Sequence, residues 1–436
     1  MKITIIGSGY VGLVSAACFA EIGHSVTCLD VNKQKINKLK KLSLPIYEPY
    51  LQDLVTKNYR LSKIQFTSSY RVGCKNNIIF LCIDTPSKKD GSPNLTNLNS
   101  ALNSIAKNLF TDSIVITKST VPLGTNNYIH NKLLRLTQNK QINIEVCSNP
   151  EFLREGSAVE DFFNADRIII GTGSENGKQI MSKVYSPMKK RVKKIIFMSP
   201  ESAELTKYAA NAFLATKISF INEMSQIAEA FDANINEIRE GIGTDPRIGK
   251  EFLFAGMGFG GSCFPKDLRA LSFQEKQIGL KNSIISEALS INNSQLDLFL
   301  RKILSVYSPS QLKKKNIVIW GLSFKPNTDD IREAPAIKLV KRLAGKVRHI
   351  STYDPKALTK AKKELSNFKN ISFHKEKYSS FKSSHCLIIC TEWEEFFSPK
   401  ISKLLTLKDG QIFDGRNIID PLAMDAAGLH YHGIGL

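Results

Sequence analysis

Cys263 stands in surroundings suited to chemistry. It follows Gly256-Met257-Gly258-Phe259-Gly260-Gly261-Ser262 and precedes Phe264-Pro265-Lys266-Asp267. Glycine at that density gives backbone that a ligand or another chain segment can approach closely. Ser262 is placed to cap a helix expected to run through Leu271, with Cys263 at its positive end beside Lys266 and Asp267. A helix N-terminus and an ammonium group both favour the thiolate, the nucleophilic form. The other cysteines, at 18, 28, 74, 82, 147, 386 and 390, read as small buried hydrophobes.

A second constellation opens the chain. The β-branched run Lys2–Ile6 leads into Gly7-Ser8-Gly9-Tyr10-Val11-Gly12, then an amphipathic segment to about Gly23, then a second strand, Ser25–Leu29, ending in Asp30. In strand–GxGxxG–helix–strand–acid, Gly7 permits the tight turn, Gly9 lets backbone amides approach a pyrophosphate, and Gly12 allows close helix–strand packing. The helix N-terminus adds positive potential. Asp30 would accept ribose hydroxyls and repel a 2′-phosphate, which favours NAD over NADP. A hydride acceptor and a nucleophilic cysteine together can oxidise an aldehyde through a thiohemiacetal and a thioester. Lys207 and Asn211 share a helix face amid apolar neighbours and could hold an oxyanion. Asp267 or Glu151 could activate the hydrolytic water.

The elements that must position these groups alternate as strand and helix. Further strands are expected at Ile64–Phe66, Ile78–Ile83, Ser113–Lys118, Ile142–Cys147, Arg167–Ile170 and Lys194–Met198. Ligands of such sheets bind beyond the carboxyl ends of the strands, which brings forward Asp84-Thr85-Pro86, Ser119–Pro122 and Asn149–Gly156. Ser199, Pro200 and Glu201 start a long helix expected to reach about Phe231, a connector between lobes and a dimer surface. A third unit begins near 299, with strands at Asn316–Trp320, His349–Tyr353 and His385–Cys390 and the motif Asp414–Asn417. Its first turn, Gly321–Arg332, lacks GxGxxG and suits a different phosphate-bearing ligand, held by Lys325. The expected fold is α/β: two Rossmann-like, doubly wound parallel-sheet domains (1–198 and 299–436) joined by a long central helix and a helical middle domain (199–298).

Composition narrows the classes. Of 436 residues 42% are hydrophobic and 23% charged, which excludes a wholly disordered chain. The net charge of +20 invites a polyanion, but the lysines are scattered and no nucleic-acid motif accompanies them, so neither nucleic acid nor membrane is expected as a partner. The cysteines form no CxxC pair; a reducing cytosol is expected, with no disulfide scaffold and no metal site. The apolar N-terminus imitates a secretory signal, but its glycines belong to the dinucleotide motif.

Taken in order, Gly7–Gly12, Ser119–Pro122, Asn149–Gly156, Lys207 with Asn211, Gly258–Asp267 and Gly321–Arg332 resemble the UDP-glucose/GDP-mannose dehydrogenase family over essentially the entire chain. The resemblance implies a four-electron oxidation of a sugar nucleotide to a uronate with two NAD reduced. It makes Cys263 the covalent nucleophile, has Lys207 and Asn211 hold the oxyanion and Asp267 and Thr120 position water, and has Glu151 assist thioester hydrolysis. It implies NAD contacts at Gly7, Gly9, Tyr10, Val11, Gly12, Asp30, Lys35, Thr85, Thr120, Glu155, Lys266 and Arg332. Around the substrate it implies Glu151, Phe152, Leu153, Arg154, Glu155, Lys207, Asn211, Phe252, Leu253, Phe254, Ala255, Gly256, Gly260 and Lys325, with Arg247 supplied by the second subunit of a homodimer. Phe259 stands where many members have tyrosine, and Arg154 fills a variable slot. Cys263-Phe264-Pro265 leans toward UDP-glucose as substrate; GDP-mannose or a UDP-N-acetylhexosamine is the alternative. Two other readings are a polyanion binder using the +20, and a two-electron hydroxyacid dehydrogenase, which would need neither Cys263 nor the third unit.

Overall fold

The computed structural model describes residues 1–88 and 90–436. Residues 1–210 and 211–436 form two compact units. Unit 1 is built on eight strands: β1 (Lys2–Ile6), β2 (Ser25–Leu29), β3 (Ile64–Thr67), β4 (Ile78–Leu81), β5 (Ser113–Thr117), β6 (Ile144–Ser148), β7 (Ile168–Gly171) and β8 (Ile195–Met198). Their order is β3-β2-β1-β4-β5-β6-β7-β8. The inner strands β1, β4 and β5 are β-branched and aromatic and almost wholly buried, as sheets covered by helices on both faces require. The strand order reverses between β1 and β4, and the Gly7–Gly12 turn sits at that switch.

One pairing departs from the expected parallel sheet. β6 and β7 are antiparallel, paired through Ser148 and Gly171. A parallel crossover must carry the chain back along a strand of roughly 17 Å. The only helix in this connection, Ala158–Phe163, rises about 9 Å, so the chain re-enters the sheet from the end it left.

Unit 2 holds the rest of the Pro200–Ala230 helix, the helices Ile235–Gly243, Phe264–Gln277 and Ile284–Val306, and a second sheet. That sheet comprises β9 (Asn316–Trp320), β10 (His349–Tyr353), β11 (Ile371–Phe373), β12 (Cys386–Ile389), β13 (Gln411–Asp414) and β14 (His430–His432), ordered β11-β10-β9-β12-β13-β14 and parallel throughout. Ile221 and Ala228 of the long helix, Phe299 and Ile303 of the Ile284–Val306 helix, and Ile317 and Ile319 of β9 belong to one buried cluster. On the other face Trp320 stacks on Phe396 at 4.9 Å. Among the described residues no helix is long and apolar enough to cross a membrane.

In unit 1 the dinucleotide-type helix Tyr10–Glu21 is held by Phe19, which meets Phe80 at 5.1 Å, Phe162 at 5.2 Å and Tyr185 at 5.7 Å. Phe19→Ala is expected to lower unfolding free energy by about 3–5 kcal/mol, measured as a drop in urea midpoint.

Candidate active site

The β1 turn is shaped by sterics. Gly7 has φ 99°, and a Cβ there would collide with the carbonyl oxygen of Cys82; a Cβ on Gly12 would collide with Gly7's own carbonyl. A Cβ on Gly9 would meet nothing nearer than Asp84 Oδ1 at 3.6 Å, so its missing side chain leaves open the approach to the uncapped N-terminus of the Tyr10–Glu21 helix. Asp30, at the end of β2, accepts from Ser8 N at 2.9 Å, Ser8 Oγ at 2.7 Å, Asn32 N at 2.9 Å and Lys35 Nζ at 3.2 Å. Burial opposes its ionisation, but the hydrogen bonds from Asn32 and Ser8, with Lys35, outweigh burial and hold the carboxyl below its usual range. Uncapped amides, an open glycine and an ionised acid fit a dinucleotide with a free 2′-hydroxyl.

Beyond β6 the chain turns through Asn149–Gly156. Glu48, buried and unpredicted, anchors this loop: it accepts from Gly156 N and Ala158 N, each at 2.7 Å, and from the hydroxyl of Tyr10. Glu48 sits between Tyr47 and Pro49 in a segment without periodicity, so no sequence signal marked it. Glu151 Oε2 accepts from Leu153 N at 2.6 Å, and its other oxygen lies 3.3 Å from Lys207 Nζ, both side chains being only 5% exposed. The Phe152 ring takes the Lys207 ammonium at 5.2 Å and the Arg167 guanidinium at 4.3 Å. Arg154 binds Asp161 at 2.6 Å with its side chain largely exposed, while Glu155 is buried.

Two further strand ends converge beneath. Thr85 Oγ1 donates to the Thr120 carbonyl at 2.7 Å, and Ser119 Oγ accepts from Ile83 N at 2.7 Å. Lys118, which no sequence argument selected, is buried and donates to Asn149 Oδ1 at 3.3 Å, an oxygen that also accepts from Tyr185. Burial depresses its pKa. Its signal is only its place at the end of β5, next to the Ser119–Pro122 turn.

In unit 2, Cys263 is the one cysteine of eight that is not buried. It is itself the N-cap of the Phe264–Gln277 helix, with no side-chain cap bond, a position expected for Ser262; Ser262 Oγ instead lies 3.6 Å from the sulfur. The thiol is therefore carried by the residue at the amide end of that helix. Asp267, one turn in and 1% exposed, accepts from Lys266 Nζ at 2.6 Å and Asn211 Nδ2 at 2.7 Å. The glycines before Cys263 serve chain packing: a Cβ on Gly260 would collide with the Glu333 carbonyl, Gly261 N donates to the Arg332 carbonyl at 2.9 Å, and Gly256 N donates to Asn222 Oδ1 at 2.8 Å. Phe259 packs edge-on against Phe264 at 5.8 Å in a buried setting.

The remaining expected residues are dispersed over unit 2. Phe252 has φ 64° and leads to buried Leu253 and Ala255, with exposed Phe254 beneath Arg239 at 3.7 Å. Lys325 stands 5.6 Å over the Phe324 ring, and Arg332 pairs with Asp330. Arg247 is highly exposed and pairs with Asp245 at 2.6 Å.

Comparison with known proteins follows the same chain order. The sequence matches the UDP-glucose/GDP-mannose dehydrogenase family in its NAD binding domain (1–189), central domain (201–294) and UDP binding domain (318–421). It is 40% identical to UDP-glucose 6-dehydrogenase TuaD of Bacillus subtilis, covering 100% of this chain and 93% of that protein. It is also 40% identical to the UDP-glucose 6-dehydrogenase of Rickettsia bellii, covering 100% and 99%. Among solved structures, a UDP-glucose dehydrogenase from the archaeon Pyrobaculum islandicum superposes with TM-score 0.88 at 31% identity, covering 100% and 97%. A UDP-D-ManNAc dehydrogenase from Pyrococcus horikoshii gives 0.87 at 27%, covering 100% and 99%.

Because Asp30 is ionised well into the acid range, NAD affinity is expected to stay level at neutral pH and to weaken only as pH falls below about 4. Asp30→Ala should weaken NAD roughly 10- to 100-fold, the worth of charge-assisted hydrogen bonds; titration calorimetry measures it, and unchanged affinity would remove Asp30 from the site.

Proposed function

The chain belongs to the UDP-glucose/GDP-mannose dehydrogenase family, and from that premise we propose that it oxidises C6 of UDP-glucose to the carboxylate, giving UDP-glucuronate. The observation that carries this reading is Cys263: an accessible thiol at a helix N-terminus, one turn from a buried, fixed carboxylate. The N-terminal domain binds NAD. When bound, NAD supplies a hydride acceptor, needed once for the alcohol and once for the thiohemiacetal. The Gly7–Gly12 turn and Asp30 would hold it, with Lys35, Thr85, Thr120, Glu155, Lys266 and Arg332 as further contacts.

The chain's own residues then have these tasks. The C6 hydroxyl gives up its proton and the C6 carbon gives up a hydride, leaving an aldehyde. The Cys263 sulfur adds to the aldehyde carbon, and the oxygen becomes an oxyanion that Lys207 and Asn211 stabilise by charge and by N–H donation. The second oxidation leaves a thioester. Water, oriented by Asp267 and Thr120 and deprotonated with help from Glu151, attacks its carbonyl; the C–S bond breaks and Cys263 leaves as thiolate. The balance is one alcohol, two NAD and one water giving one carboxylate, two NADH and three protons. The segments 151–155 and 252–256, Gly260 and Lys325 would surround the sugar nucleotide. Eight free thiols suit a reducing cytosol. The proposed division into an NAD-binding domain (1–198), a central helical domain (199–298) and a UDP-sugar domain (299–436) keeps these tasks in chain order.

A homodimer is part of the reading. Phe213, Phe220 and Ile227 recur at heptad spacing on the long helix and are 68%, 44% and 49% exposed, an apolar stripe suited to a second copy, which would contribute Arg247. Phe220→Glu is expected to yield monomers in sedimentation; an unchanged dimer would assign the interface elsewhere. A panel of UDP- and GDP-sugars, followed by NADH absorbance and product mass, tests the chemistry. UDP-glucose should give two NADH per sugar and the uronate, and a yield of one would overturn the four-electron scheme. Cys263→Ser should bind NAD normally and release no uronate.

A further inference from the structure

Glu204 sits one turn before Lys207 on the Pro200–Ala230 helix, 3% exposed, and no step above uses it. Its two carboxylate oxygens are divided between two backbone donors: Oε2 accepts from Gly124 N and Oε1 from Asn126 N, each at 2.7 Å. Both amides lie where the Ser119–Gly124 turn enters the Thr125–Thr137 helix, and Gly124, at φ 82°, is the residue on which the chain turns. Glu201 repeats the link one turn earlier by accepting from Asn127 Nδ2 at 2.7 Å. The other end of the turn is fixed by Ser119 Oγ, which accepts from Ile83 N and donates to the Leu81 carbonyl, and the Thr120 carbonyl is held by Thr85. A turn pinned at both ends has little freedom left for the residue within it.

We propose that Glu204 is a positioning residue whose carboxylate ties the Ser119–Gly124 turn to the helix carrying Lys207, and so sets where Thr120 stands for the reaction. The proposal rests on the reading of Thr120 as part of the site. A carboxylate at the N-terminus of a 13-residue helix is favoured by the helix dipole, so a role confined to stabilising that helix is the competing account. Titration separates the two. Burial raises the Glu204 carboxyl to about 7, against the hydrogen bonds from Asn126 and Gly124 and helped by Glu201. Residues 119–128 carry no charged side chain, the β7 end packed on Ala203 contributes Gly171, and Lys207 is engaged by Glu151. Below about pH 7 the group takes a proton, one oxygen becomes a donor facing an N–H, and the clamp opens. Its folded pKa is raised above 4.5, so its contribution to stability is present at low pH and lost as pH rises through 7. Activity and stability therefore run in opposite directions with pH.

The test follows kcat for UDP-glucose oxidation between pH 5.5 and 9, with amide hydrogen exchange over the peptide carrying Gly124 and Asn126. Wild type should show kcat rising through an inflection near pH 7 while protection of those amides rises with it. Glu204→Gln should lose the inflection, lose about 10-fold or more in kcat with KM little changed, and exchange fast at every pH. Glu204→Asp should fold, keep an inflection and recover part of the kcat. An inflection and native exchange retained in Glu204→Gln would overturn the proposal. Should wild type oxidise no sugar nucleotide, the functional reading fails by itself, and exchange still decides whether the clamp exists and titrates.

Discussion

A charge removed from water has to be answered by another group within reach, and both units are organised around that demand. In unit 1 the answer is Lys207 with Glu151, 3.3 Å apart and each 5% exposed, with Phe152 offering its ring to the same ammonium. In unit 2 it is Asp267, almost wholly buried between Lys266 and Asn211. Exchanging a buried ion pair for apolar side chains of equal volume is often neutral or stabilising, whereas deleting one partner costs about 3–5 kcal/mol. Such pairs therefore make little case for themselves on stability. What they provide is a fixed ammonium and a fixed carboxylate that need no reorganisation when charge develops, which is where electrostatic catalysis gains most.

Holding those groups still makes demands on the backbone around them. At the end of the Asn149–Gly156 loop Glu48 satisfies the amides of Gly156 and Ala158, and at the end of the Ser119–Gly124 turn Glu204 satisfies those of Gly124 and Asn126. In each case a buried carboxylate accepts two backbone N–H groups at the start of a helix, satisfying donors that the helix itself cannot. The glycine-rich approach to Cys263 reaches rigidity another way: its backbone lies against the carbonyls of Arg332 and Glu333 so closely that a Cβ at Gly260 cannot fit. The cysteine is presented by a loop with little room to move.

How much of this the sequence disclosed follows from the range of the interactions involved. The strand–turn–helix–strand unit around Gly7–Gly12 and the long helix are local patterns complete within about thirty residues, and those elements lie where the sequence places them, as do most strands to within two residues. The pairing of Lys207 with Glu151 joins residues far apart in the chain; their residue types suggested one reaction, but no local pattern showed that they form a buried ion pair. Glu48, Lys118 and Glu204 were invisible for the same reason, since a lone acid or lysine is normally solvated and its burial is a tertiary fact. The reversal at β7 escaped because alternation of strand and helix reads as parallel until the connecting helix is measured. The cap at Cys263 escaped because serine is the better capper by composition, and chain geometry overrode that preference.

The two sheets show how one architecture is turned to different ends. Each has an acid where the second strand of its first βαβ unit finishes: Asp30 after β2, Asp354 after β10. Asp354 receives the amides of Leu322, Ser323, Lys356 and Ala357, the Ser323 hydroxyl and Trp393 Nε1, and is 1% exposed. A carboxylate has about four lone-pair sites, so an acid already taking six donors, four of them backbone amides, has no capacity left for a ribose. Asp30 is held as firmly but by yielding donors: two of its four partners are the Ser8 hydroxyl and the Lys35 ammonium, both able to rotate aside for ribose hydroxyls. The acid of the C-terminal sheet is part of its core, whereas that of the N-terminal sheet keeps two donors that can rotate. The difference lies in the fixed donors: four backbone amides and the Trp393 indole on Asp354 against two amides on Asp30, and Trp393, contributed from beyond β12, is not visible in either βαβ unit alone.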